Sequence, residues 1–145
     1  MAITPDQIAY ILTMVEGDHA ANDEVEARLD RDGWDGFDVL LGAVFYSAVN
    51  RSFPRGANAG EIIRFVADMR STMTGGPETD PGSAERLVSA ALDPRLRTDV
   101  EPTSTGRIQG LTILYALGEG AVSSDELNAI LTEAATLADR ITECL

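Results

Sequence analysis

The chain has 145 residues, of which 44% are apolar, and this length and composition predict a single domain, residues 1–145, with its own core. It carries 24 acidic and 11 basic residues, for a net charge of −13, and every basic residue is an arginine. Because the chain has no lysine, mechanisms that need a P-loop lysine, a Schiff-base lysine or a lysine general base are excluded. With one histidine and one cysteine, it also lacks the ligands of the usual zinc sites and cannot form an internal disulfide. We therefore expect no metal ion and no cofactor.

Two features of the sequence concern location. The first basic residue is Arg28, so no positive charge precedes the apolar residues of the N-terminus as it does in a secretory signal. The longest nearly unbroken apolar run, residues 39–49, is too short to cross a bilayer. We expect a cytoplasmic protein with no membrane partner.

Seven segments have apolar residues at helical spacing, and most of them begin with a capping signal. Thr4 with Gln7, Asn58 with Glu61, and Ser123 with Glu126 have the spacing of capping boxes. No convincing strand and no internal repeat is present. The predicted helices span about residues 5–16, 18–31, 36–51, 59–73, 81–92, 105–117 and 124–145.

The third and sixth of these helices are apolar on nearly every face, which is typical of helices buried among others. Asp35 is the predicted N-cap of the third helix. The second helix is poor in apolar residues and is expected to face solvent. Together the segments predict an all-α fold, a single-domain irregular bundle of about seven helices around two buried helices at about residues 36–51 and 105–117.

Two consecutive helices carry a resemblance to known proteins. The sequence EIIRFVADMRSTM at residues 61–73, followed after a loop by AERLVSAALDP at residues 84–94, resembles a helix pair of uncharacterised small all-helical proteins of high-GC bacteria. The resemblance covers under a quarter of the chain and includes no catalytic signature. It implies an interaction or regulatory role.

The densest polar feature is an acidic tract at residues 16–38, with nine acidic residues and two arginines. Residues 51–110, by contrast, hold equal numbers of acids and arginines, so the charge is predicted to be lopsided. Such a field disfavours nucleic acid and attracts basic partners. The alternative is that the acids solvate a surface helix or reflect salt adaptation of the whole proteome. The predicted partner-binding residues are Asp18, Asp23, Glu24, Glu26, Asp30 and Asp32.

Two further segments have a partial resemblance to ligand sites. The sequence DRDGWDGFD, residues 30–38, places acids at three calcium-loop positions but lacks the turning glycine and the bidentate glutamate, so helix capping explains it better. At the predicted start of the sixth helix, Ser104, Thr105, Gly106 and Arg107 form a candidate anion site, although hydroxyls at helix starts are usually caps.

The last helix has an apolar stripe that either completes the core or forms a homodimer seam through residues 124–145. A Ser-His-Asp arrangement would have to use His19, which we expect to be exposed. No catalytic residue is predicted. The sequence favours a non-enzymatic interaction or regulatory module (adaptor, inhibitor or immunity-type) that binds a basic or amphipathic protein. The alternative is an enzyme or small-ligand-binding helical protein that uses carboxylates and arginine in a cleft between helices.

Overall fold

The structure is a computed structural model that describes residues 3–144, and within this range it is all-helical, with seven helices and no strand. The predicted all-α class is therefore confirmed. The helices are α1 (Pro5–Glu16), α2 (His19–Asp32), α3 (Phe37–Ser52), α4 (Ala59–Thr72), α5 (Pro81–Leu92), α6 (Pro102–Leu117) and α7 (Ser124–Glu143).

Helix starts that carry a local capping signal lie where the sequence predicts them. Thr4 and Gln7 form a reciprocal capping box at α1, and Asn58 and Glu61 form another at α4. The Ser123 side chain accepts the backbone amide of Glu126 at the start of α7. These bonds satisfy amide groups that the first turn of a helix leaves without partners.

Two predicted helix starts are corrected by the structure. Helix α3 begins at Phe37, and the Gly36 carbonyl accepts the Leu40 amide, so Gly36 occupies the capping position predicted for Asp35. Gly36 has φ +84°, a left-handed conformation that favours glycine over aspartate. Helix α6 begins at Pro102, three residues earlier than predicted, because proline at the first helical position needs no hydrogen bond from its nitrogen.

Contacts within the chain divide it into two compact units. Unit 1 comprises Met1–Val44 and Leu117–Leu145, and unit 2 comprises Phe45–Ala116. In unit 1, α1 packs most closely against α2 and α7, and the buried apolar residues of these three helices make up a large part of its core. They are Ile11, Val15, Val25, Leu29, Leu127, Leu131, Ala134, Ala135 and Ala138.

Unit 2 has its closest helix packing between α4 and α5. Its buried apolar residues come from these two helices and from the parts of α3 and α6 that belong to the unit. On α3, Tyr46 is a large apolar residue that is not buried: 49% of its surface is exposed, whereas its neighbour Phe45 is buried. The other buried apolar residues of unit 2 are Ala48, Val49, Ile62, Val66, Met69, Ala84, Leu87, Val88, Ile108 and Ile113.

No helix in the described range is both long and apolar enough to cross a membrane.

Candidate functional site: the acidic surface of α2 and a cavity in unit 2

All six predicted partner-binding residues are exposed and lie on α2 or at its ends; we call them the acidic surface. Val25 and Leu29, four residues apart, form the buried side of this helix. Asp23, Glu26 and Asp30 follow at spacings of three and four, which places these three on one face of the helix. The weak apolar pattern of α2 therefore reflects a helix held by a narrow stripe, with carboxylates around it.

The arginines of α2 neutralise little of this surface. Arg28 is paired with Asp6 of α1 at 3.2 Å, and Asp6 is not part of the acidic surface. Arg31 is 3.6 Å from Asp32, and in residues 3–144 this is the one ion pair that includes a member of the acidic surface. Within residues 3–144, the other five carboxylates of the acidic surface are exposed and take part in no ion pair.

The net negative charge of the chain comes entirely from unit 1. This unit contains sixteen acidic residues and three arginines, which leave −13, whereas unit 2 contains eight of each and is neutral. The charge asymmetry predicted from the sequence thus coincides with the division into two units.

Three aromatic rings, Tyr10, Trp34 and Phe37, pack beside the acidic surface and form an aromatic triad. Their centroids are 5.1–5.5 Å apart and each pair is close to perpendicular, the edge-to-face geometry that aromatic rings prefer. The Trp34 indole donates a hydrogen bond of 2.8 Å to the Asp30 carboxylate. Burial raises the pKa of the Tyr10 hydroxyl, and the charges of Glu26, Asp30 and Asp23 raise it further. The carboxylates on one face of α2 therefore act directly on the aromatic triad, through their charge at Tyr10 and through a hydrogen bond at Trp34.

The residues considered for metal binding or acid–base chemistry are dispersed. Asp30 and Asp32 lie in the last turn of α2, and Asp38 lies in the first turn of α3. His19 is the first residue of α2 and is exposed. Among the described residues, no group of three or more His, Cys, Asp or Glu side chains is placed to hold a metal ion.

The candidate anion site does not begin at the first residue of α6, because the helix begins at Pro102, two residues before Ser104. The Thr105 amide donates to the Glu101 carbonyl at 2.8 Å, so it is not free to bind an anion. Gly106 lies in the helix beyond the first turn, where backbone amides bond within the helix. Ser104 and Arg107, in contrast, line a cavity of about 470 Å³ in unit 2.

This cavity lies between the loop that follows α4, the start of α5 and one side of α6. Glu78 and Asp80 bring two carboxylates to it, and Arg107 brings a guanidinium. Hydrogen bonds from the Ser83 backbone amide and hydroxyl lower the pKa of the Asp80 carboxyl, which keeps it ionised. The remaining lining residues are hydroxyl-bearing, small or apolar: Thr74, Gly75, Thr79, Ser83, Ser104, Ile108 and Leu111.

The loop wall of the cavity is held by hydrogen bonds to α4. The Arg70 guanidinium donates to the Thr79 carbonyl at 2.8 Å and to the Pro77 carbonyl at 3.3 Å. Gly76 is buried against the end of α4, and a Cβ atom there would lie 2.2 Å from the Arg70 carbonyl oxygen. Only glycine fits this close approach of the loop to the backbone of α4.

Sequence patterns identify Ser104 and Arg107 but miss Glu78 and Asp80 as cavity residues. Asp80 has a visible role as a helix cap, and Glu78 belongs to a segment that reads only as a turn-rich loop. Their position opposite α6 depends on tertiary packing, for which a single sequence contains no local signal.

The apolar stripe of α7 is largely covered inside unit 1. Leu127, Leu131 and Ala134 are buried, whereas Ile141 is 40% exposed. This burial favours the interpretation that the stripe completes the core. The homodimer through residues 124–145 stays a prediction, and Leu145 lies outside the described residues.

The chain matches no protein-family model, no curated protein and no solved structure in the comparisons made with it.

Proposed function

We propose that this protein is a non-enzymatic cytoplasmic interaction or regulatory module that binds a basic or amphipathic protein through the acidic surface of α2. An adaptor, an inhibitor and an immunity-type neutraliser act in this way. The observation that carries the proposal is the exposure of six carboxylates, five of which take part in no ion pair within residues 3–144, in the unit that holds the whole net charge. Such a field accelerates encounter with a positively charged partner and repels phosphate backbones.

The aromatic triad supports the same proposal by supplying apolar contact area. Tyr10, Trp34 and Phe37 are each partly exposed, and aromatic residues dominate the binding energy of many protein interfaces. An arginine of the partner could stack on one of these rings while it pairs with a carboxylate of α2. The carboxylates would then direct the encounter, and the rings would contribute to the lifetime of the complex.

A charge-reversal experiment tests the proposal with a matched control. The α2 variant carries Asp23→Arg, Glu24→Arg and Glu26→Arg, and the control carries Asp125→Arg, Glu133→Arg and Glu143→Arg on α7, where all three residues are exposed. Each reversal adds two positive charges, so both variants have a net charge of −7 in place of −13. The tagged proteins are used to capture partners from lysate of the native host.

We expect the wild type and the α7 control to retain a common basic protein that the α2 variant loses. Purified partner should then bind the wild type and the control with similar affinity. Equal loss by both variants would show that only net charge matters. Equal retention by both would show that the partner uses another surface.

One observation favours the alternative function, a helical protein that binds a small ligand with carboxylates and arginine in an inter-helix cleft. It is the cavity of unit 2, whose lining combines Glu78, Asp80 and Arg107 with the apolar residues Ile108 and Leu111. This alternative and the interaction function use different units of the chain, so they do not exclude each other.

A further inference from the structure

The lining of the cavity of unit 2 includes two opposite charges that have no ion-pair partner among residues 3–144. In residues 3–144, neither Arg107 nor Glu78 takes part in an ion pair or a side-chain hydrogen bond. Other charged groups nearby are already engaged: Asp80 caps α5, and Arg70 holds the loop carbonyls. The lining therefore offers one free cation and one free anion.

The rest of the lining indicates what kind of ligand could contact both charges at once. Ile108 is buried and Leu111 is partly buried, and together they give the α6 side of the cavity an apolar surface. The lining also includes three hydroxyl-bearing residues, Thr74, Thr79 and Ser104. The volume of about 470 Å³ is within the range of pockets that hold small organic molecules, about 300 to 1,000 Å³.

We propose that this cavity binds a small zwitterion with an apolar body, namely an amino acid with a hydrocarbon side chain or a dipeptide of such residues. Arg107 binds the carboxylate of the ligand, Glu78 binds its ammonium group, and the side chain covers Ile108 and Leu111. The proposal concerns unit 2 and does not depend on the function proposed for the acidic surface.

The charges of the lining argue against the other simple classes of ligand. A phosphate or a dicarboxylate would pair with Arg107 but would also meet the carboxyl groups of Glu78 and Asp80, and the pKa of Asp80 is lowered. A hydrophobic amine would pair with a carboxylate and leave Arg107 unmatched. A zwitterion satisfies both free groups, and the bonds it makes are charge-assisted at both ends.

Isothermal titration calorimetry of the full-length protein with a set of matched ligands tests the proposal. The ligands are L-leucine, leucyl-leucine, N-acetyl-leucine, which lacks the ammonium group, and leucinamide, which lacks the carboxylate. We expect saturable binding of leucine or leucyl-leucine, and a comparison of the two shows which size the cavity takes. Each blocked ligand should bind about tenfold or more weakly, because it loses one charge-assisted contact.

Variants of the two charged residues assign the binding to this cavity. Arg107→Gln should weaken binding of the zwitterion but have little effect on leucinamide, and Glu78→Gln should weaken the zwitterion but have little effect on N-acetyl-leucine. Arg64→Gln and Glu133→Gln, at exposed positions outside the lining, serve as controls and should leave affinity unchanged. All four positions are exposed, and unfolding curves verify that each variant folds.

Two results would overturn the proposal. The first is the absence of saturable binding of both leucine and leucyl-leucine at millimolar concentration. The second is binding that persists unchanged when either ligand charge is blocked or when Arg107 and Glu78 are replaced. Ser104→Leu gives an independent measurement, because it occupies cavity volume without changing a charge and should also reduce binding.

Discussion

Gln7 is a polar side chain with only 1% of its surface exposed, and its hydrogen bonds explain how it can be buried. Its side-chain nitrogen donates to the Asp35 carbonyl at 2.7 Å, and its side-chain oxygen accepts the Thr4 amide at 3.1 Å. One residue therefore caps α1 and fixes the turn that leads into α3. Buried polar groups without partners are costly, so both bonds matter for stability.

Replacing Gln7 by methionine, which has a similar shape, should lower the free energy of unfolding by about 1–3 kcal/mol, since two backbone groups lose their partner. Denaturant unfolding measures the change. Gln109→Met on α6 is the control, because Gln109 is partly exposed and makes no side-chain hydrogen bond within residues 3–144. Equal stability of Gln7→Met and the wild type would contradict the role assigned to Gln7.

Tyr115 gives the protein a pH dependence in the alkaline range. Burial, the hydrogen bond to Asp68 and the negative charge of Asp68, in that order of size, together raise the pKa of its hydroxyl to about 12. The unfolded chain releases this proton near pH 10, while the folded chain still holds it. Stability from this group is therefore complete below about pH 10 and is lost as the pH rises to about 12.

We expect Tyr115→Phe to lose less stability than the wild type between about pH 10 and about pH 12, when each is compared with its own value at neutral pH. Denaturant unfolding over this range measures the stability of each protein, and a titration of tyrosinate absorbance measures the pKa of Tyr115. Parallel stability curves for the two proteins would contradict the prediction. Tyr10→Phe gives a comparison at the other tyrosine with a raised pKa.

At the scale of the helices, α6 contains two glycines that local geometry does not require. A Cβ atom built at Gly106 or Gly110 meets nothing within 4 Å, and neither residue has a positive φ. Glycine inside a helix is less favourable than alanine by roughly 0.5–1 kcal/mol. The contrast is Gly76, where the same added atom would meet the backbone of α4.

Gly106→Ala and Gly110→Ala should each raise the free energy of unfolding by about 0.5–1 kcal/mol, whereas Gly76→Ala should lower it. Thermal and denaturant unfolding of the three variants test this. A destabilising effect at Gly106 or Gly110 would show that close packing at these positions requires glycine.

Most helix starts could be predicted because a cap is a short-range feature. Thr4, Asn58 and Asp80 each bind an amide three residues ahead, so the signal lies within four residues of sequence. The start of α3 could not be predicted in the same way. It depends on the positive φ of Gly36, and an aspartate next to it gave the stronger local signal.

The acidic surface could be predicted from the sequence, whereas the aromatic triad and the cavity of unit 2 could not. The acidic surface is continuous in sequence, so its residues could be identified from composition, and their exposure follows from the narrow apolar stripe of α2. The aromatic triad and the cavity join residues that are far apart in the chain. Tyr10 meets Trp34, and Glu78 and Arg107 line one cavity, through packing that a single sequence does not encode locally.

At the scale of the whole molecule, unit 1 has the full net charge of −13, and unit 2 has a net charge of zero. Like charges that are exposed repel one another, so the acidic residues lower the stability of unit 1 at low salt. Moderate salt screens this repulsion, since the Debye length is about 10 Å at 0.1 M. A proteome-wide salt adaptation would instead give both units a net negative charge.

We therefore expect the wild type to gain stability between low and moderate salt and to gain little more in molar KCl. The α2 variant with Asp23, Glu24 and Glu26 reversed to arginine should be as stable as the wild type at moderate salt, and more stable at low salt. Denaturant unfolding of both proteins across the salt range gives the comparison. A marked further rise for the wild type in molar KCl would support salt adaptation.

The central claim, that the acidic surface of α2 is a recognition surface, is tested most directly by association kinetics. Stopped-flow mixing with the captured partner gives the association rate constant of the wild type, the α2 variant and the α7 control as a function of ionic strength. We predict that the α2 variant associates at least tenfold more slowly at low salt and loses most of its salt dependence, because electrostatic steering acts mainly on the association rate. The α7 control should stay close to the wild type. An α2 variant with the rate constant and salt dependence of the wild type would contradict the claim.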